Sequence, residues 1–118
     1  MRTKKISSKI VDLLNQISLY SNVKRAKMSA ALFFNKGIKF PQHNVRIDGH
    51  KNWTIHAEER LLTKFNCSGS KIIVFRSNGD KSSKPCRKCI ELLKMADVKK
   101  VIFFDLNGSW IEASPFEL

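Results

Sequence analysis

No apolar run in the 118 residues approaches the roughly 20 that a bilayer crossing requires. The opening Met1-Arg2-Thr3-Lys4-Lys5 is basic, but the segment after it is amphipathic instead of continuously apolar, which argues against a cleaved leader. Cysteine is scarce too. Three thiols cannot make the disulfide framework that staples small secreted domains, so an intracellular, reducing compartment, the cytoplasm, is expected. Repeats, low-complexity tracts and linkers are absent, so residues 1–118 are expected to form one domain with one core.

Acidic residues are also few: 10 against 22 Lys and Arg, a formal charge of +12. Such an excess attracts phosphate, on a nucleotide or along a polynucleotide. Compositional drift is the competing account for a chain rich in Lys, Asn and Ile. Drift explains Lys over Arg but not the shortage of acids.

What the chain does have is His56-Ala57-Glu58 and, thirty residues after that His, Pro85-Cys86-Arg87-Lys88-Cys89. One imidazole and two thiols are ligands that zinc prefers, and three protein ligands leave a fourth tetrahedral position for water. Glu58, two residues from the His, can move protons beside that water without being a ligand. Pro85 precedes a helix-compatible stretch from Cys86 to Met95, which puts both thiols at a helix N-terminus, where thiolates are favoured. Two other readings compete: a redox Cys pair, and a closed structural zinc site with a fourth ligand from Cys67, His43 or His50. None of those three stands in a second ligand pair. Cys67 follows an apolar stretch and reads as a buried, inert thiol.

Ser7 or Ser8 can cap a helix whose apolar face is Ile10, Leu13, Leu14 and Ile17. Met28 to Phe34 reads as a buried strand. Asn35-Lys36-Gly37 turns it into a second strand starting at Ile38 to Phe40, and a polar loop from Pro41 to Thr54 comes after it. A helix from about His56 to Phe65, a strand Ile72 to Arg76 and the Cys helix come next. Val101 to Phe104 and Ser109 to Ala113 are joined through Asn107-Gly108, a strong hairpin signal. The order α-β-β-α-β-α-β-β predicts an α/β fold: a five-stranded mixed sheet, strands four and five antiparallel.

His-x-Glu followed by Pro-Cys-x-x-Cys is the pattern of the zinc deaminases. The whole chain resembles the cytidine deaminase superfamily. Tyr20-Ser21-Asn22-Val23 is similar to its opening segment, Met28-Ser29-Ala30-Ala31-Leu32 to its first strand, and Gly37 to Val45 to a second strand ending at a substrate-contacting Asn. The resemblance implies a three-layer fold with helices on both sheet faces. It implies zinc on His56, Cys86 and Cys89, and proton transfer by Glu58. Asn44 would contact sugar and base, while the Ala57 amide and the backbone around Ser83 would hold the base edge and the leaving amine. The implied reaction is hydrolytic replacement of the amine at C4 of cytosine, or C6 of adenine, by oxygen.

Free-nucleoside deaminases usually follow the Asn with Val and Glu, the acid gripping a ribose hydroxyl. Here the run is Asn44-Val45-Arg46, and a guanidinium meets phosphate instead. Trp53 can stack on a base or pack its loop. The expected substrate is a small (deoxy)cytidine or its monophosphate. A polynucleotide is the alternative, and a homo-oligomer without membrane contact is the expected assembly. A catalytically silent protein that keeps zinc only to fold is a third class, but such a site has no use for Glu58.

Overall fold

The computed structural model describes residues 1–24, 26–47, 54–77 and 81–118. Strand β1, Arg2–Thr3, opens the chain. The Ser7 hydroxyl accepts the Ile10 N–H and starts helix α1, Ser8–Ser18. Ile10 and Leu14, one turn apart, are buried, while Leu13, expected on the same face, is 40% exposed at its flank. Strands β2 (Met28–Phe34) and β3 (Gly37–His43) form a hairpin. Its two-residue turn puts Asn35 and Lys36 at φ of 49° and 61°, the left-handed backbone that matches strand twist.

The expected loop from Pro41 is shorter than the sequence suggests, because β3 continues to His43. Pro41 is tolerated there since β3 is an edge strand, with a register shift opposite Ala30 to Leu32. After it, β4 (Val45–Arg46) and β5 (Thr54–Ile55) pair as a separate two-residue ladder.

Helix α2 (Ala57–Lys64), β6 (Lys71–Arg76), α3 (Arg87–Met95), β7 (Lys100–Phe104) and β8 (Trp110–Ala113) keep the anticipated order. The main sheet runs β1-β8-β7-β6-β2-β3, with only β6 and β7 parallel, and β7 and β8 are antiparallel as expected. It has six strands, not five. The extra one is β1, which pairs with β8. Glu112 of β8, 2% exposed, explains the addition: it gathers Lys71 at 2.8 Å, Lys4 at 2.9 Å and Arg2 at 3.6 Å, and so fastens the N-terminal segment. A 3₁₀ turn, Pro115–Glu117, also goes beyond the expected elements.

Side chains alternate across the sheet and build two cores. Ile72, Val74, Val101 and Phe103 pack with Ala57 and Leu61 of α2 and Leu93 of α3. Ile73, Phe75 and Ile102 pack with Ile10 and Leu14 of α1 on the other face. The result is three layers. Because α2 leads back into β6 and α3 comes after it, both helices begin at the C-terminal end of β6. No helix among the described residues is long and apolar enough to cross a membrane.

Candidate active site

The two helix starts carry the two halves of the motif. His56 is the N-cap residue of α2, and Cys86 is the N-cap residue of α3, with Cys89 in its first turn. Three-residue spacing at a helix start brings both sulfurs to one side, close to the positive end of the helix dipole. His56 Nδ1 lies 3.3 Å from Cys89 Sγ and 3.6 Å from Cys86 Sγ. Zinc bonds of about 2.3 Å to sulfur and 2.0–2.1 Å to nitrogen, at a tetrahedral angle, put such atoms roughly 3.5 Å apart. The observed spacing fits one shared ion.

Among the described residues these three are the only His, Cys, Asp and Glu group so arranged, all ligand atoms lying within 4.8 Å of one another. Cys67 is buried in the core under α2 and α3, and burial raises its thiol pKa. The His43 ring contacts the Asn44 carbonyl and Arg60 instead. His50 lies outside the described residues. Among those described no fourth ligand joins them, and three protein ligands would leave a position on zinc for water. Burial, together with neighbouring Glu58 and Cys86, pushes the Cys89 thiol up, and a bound cation reverses that sense by ligating the thiolate.

Glu58 occupies the first turn of α2 and is 1% exposed. Burial raises its carboxyl above the ordinary range, while its own backbone amide, the His56 ring and the Cys89 thiol pull the other way. Its Oε1 is buried and has no hydrogen-bond partner among the described residues. A buried acceptor left open is costly unless something else fills it.

The other anticipated site residues divide. Ala57 is fully buried beside Glu58. The Asn44 side chain is committed to the backbone: Oδ1 accepts Met28 N–H at 3.0 Å and Nδ2 donates to the Ala26 carbonyl at 2.6 Å. Ser83 is fully buried, its N–H donating to the Phe104 carbonyl at 3.0 Å and its hydroxyl accepting Phe104 N–H at 2.9 Å. That clamp fixes the loop entering Pro85 and Cys86 to the end of β7. The Arg46 side chain is exposed, while Asn22 holds its main chain in both directions, at 2.6 Å and 3.0 Å. Trp53 lies outside the described residues. Sequence reading overlooks Arg60, whose guanidinium donates to the His43 carbonyl at 2.8 Å and so ties the Asn44 segment to α2.

The model of the cytidine and deoxycytidylate deaminase zinc-binding region matches residues 4–105. The chain belongs to this deaminase family. Zinc is therefore the cofactor, and the His56, Cys86 and Cys89 group is placed to hold a metal ion. Among solved structures, cytidine deaminase from Burkholderia pseudomallei superposes with a TM-score of 0.68 at 16% identity, covering 96% of this chain and 95% of that one. Cytidine deaminase from Mycobacterium leprae gives 0.63 at 18%, with 92% of each chain covered. The dCMP deaminase of cyanophage S-TIM5, in complex with dCMP and dUMP, gives 0.59 at 22%, with 82% of each covered. At these identities the likeness is one of fold. Among curated proteins none matches.

Proposed function

We propose that this deaminase hydrolyses the amine from the cytosine of a (deoxy)cytidine or its monophosphate, with Glu58 as the proton carrier. The observation that carries the reading is the buried, unpartnered Oε1 of Glu58 beside the His56, Cys86 and Cys89 group. Zinc held there supplies the acidity that brings the pKa of a coordinated water toward 7. Glu58 takes a proton from the attacking water and delivers it to N3 of the ring. The C4–O bond forms, and the C4–N bond breaks as Glu58 passes the second water proton to the leaving amine. Ammonia departs and uracil remains, so atoms and charge balance.

The remaining residues position the ring. The Ala57 amide and the backbone around Ser83 hold the base edge, and Asn44 lines the sugar side while bracing β2. The exposed Arg46 adds positive charge at the rim, where a phosphate arrives. A deaminase of the same fold is known in complex with dCMP and dUMP, which supports a nucleotide.

Incubating zinc-loaded protein with cytidine, dCMP, adenosine and single-stranded DNA tests the proposal. Formation of uridine from cytidine, or of dUMP from dCMP, is the expected result. Adenosine turnover, or activity confined to DNA and falling steeply with salt, would replace the substrate assignment.

A further inference from the structure

Two buried side-chain atoms have no hydrogen-bond partner among the described residues. One is Glu58 Oε1, and the other is Nε of Arg76. A guanidinium cannot shed its charge, and a buried N–H without an acceptor is costly, so this second atom also implies a missing partner.

Its place in the fold shows where that partner sits. Arg76 is the last residue of β6, at the strand end where α2 and α3 begin. Alternation puts it on the face of Ile72 and Val74, which is the face those two helices cover. In the neighbouring strand it is in register with Met28, whose N–H and carbonyl both bond to Asn44. Arg76, Met28 and Asn44 therefore form a row across the sheet at the zinc end.

Glu58 is the proton carrier, and Glu59 accepts the His56 N–H and pairs with Lys88. Among the described residues no carboxylate forms an ion pair with Arg76. A bound ligand that carries an acceptor fits this open N–H. A cytosine nucleotide offers neutral oxygens on base and sugar and one anionic group, the phosphate, whose geometry suits a guanidinium fork.

We propose that Arg76 is the phosphate anchor of the zinc site and selects a cytosine mononucleotide over the bare nucleoside. This rests on the deamination reading above. Arg46 acts differently: exposed at the rim, it contributes charge that salt screens, whereas a contact to a partly buried guanidinium persists in salt.

The test is calorimetric binding of dUMP, deoxyuridine and a short oligodeoxyuridylate to zinc-loaded wild type, Arg76→Met and Arg76→Lys, at low and high salt. These are products or product analogues, so no turnover is needed. Wild type should bind dUMP about 10- to 100-fold more tightly than deoxyuridine, at both salt levels. Arg76→Met should remove that preference without weakening deoxyuridine. Arg76→Lys, which keeps the charge but not the fork, should retain only part of it, and it decides alone if Arg76→Met does not fold. Equal binding of dUMP and deoxyuridine by wild type, or an undiminished preference in Arg76→Lys, overturns the anchor. An oligodeoxyuridylate bound more tightly than dUMP overturns the mononucleotide. Deamination is measured separately on dCMP, so an Arg76-dependent preference without turnover overturns the reaction and keeps the anchor.

Discussion

Glu58 and Glu59 are adjacent in sequence and opposite in environment. Glu58 is buried with Oε1 unpartnered, whereas Glu59 accepts the His56 backbone N–H at 3.2 Å and pairs with Lys88 of α3 at 3.3 Å. The second carboxylate thus holds the helix start that carries the first metal ligand and links it to the helix that carries the other two. Glu59→Gln keeps an acceptor for the His56 N–H and loses only the partly exposed ion pair, so it should cost no more than about 1 kcal/mol, as read by chemical denaturation. Turnover should stay within about threefold of wild type, since less than ~0.7 kcal/mol of the barrier is at stake. A much larger loss would give Glu59 a share in the proton transfer.

The metal group makes a contrast between its cysteines and the third thiol. Cys86→Ser should lower bound zinc well below the roughly one ion per chain that the three-ligand site predicts, while Cys67→Ala should leave it unchanged. Metal analysis of the purified proteins reads this. Equal zinc in wild type and Cys86→Ser would remove Cys86 from the ligand set.

Much of this site is legible in the sequence because coordination chemistry dictates both ligand type and spacing. Cys86 and Cys89 need only one helix start, and His56 needs only the next. The strands Met28–Phe34 and Lys71–Arg76 announce themselves by apolar runs, and α1 by the Ser7 cap. What escapes is set by tertiary partners. Two residues, Arg2 and Thr3, carry no strand pattern of their own, and they join the sheet because distant Glu112 collects the cations around them. Pro41 reads as a strand end, yet at an edge it disturbs no central ladder. The side chains of Asn44 and Ser83 find backbone partners far away in sequence, which no local pattern shows. Arg76 reads as the polar end of a strand; only its buried, unpartnered Nε sets it apart.

Asn44 gives a stability prediction independent of substrate. Asn44→Ala would strand the Met28 N–H and the Ala26 carbonyl at the start of β2, at a cost of about 2–4 kcal/mol. Asn44→Asp should not rescue this, because it keeps the acceptor for Met28 but sets a buried carboxylate oxygen against the Ala26 carbonyl. Urea midpoints read the loss, and an Asn44→Ala midpoint equal to that of wild type would mean that the bracket contributes nothing.

Glu112 gives a pH dependence. Burial alone would raise its pKa, but hydrogen bonds from Lys71 and Lys4 outweigh that and hold it at about 2, below the ordinary 4.5. A carboxyl lowered in the folded state adds stability that is fully present above the unfolded pKa. That stability is lost as pH falls through the folded one. Glu112→Gln should therefore be less stable by about 2–3 kcal/mol at neutral pH, part of the ionic gain being screened at the partly exposed lysines. The gap to wild type should narrow below pH 4.5 and close toward pH 2. A gap independent of pH would assign the loss to packing.

The most direct measurement is conversion of dCMP to dUMP, with release of ammonia, by zinc-loaded wild type and by Glu58→Gln containing the same amount of zinc. Wild type should release the two products in equal amounts. Glu58→Gln should be slower by about 100- to 10,000-fold, the usual worth of a positioned general acid–base. A Glu58→Gln protein that holds its zinc and deaminates within about threefold of wild type would contradict the central role given to that buried carboxylate.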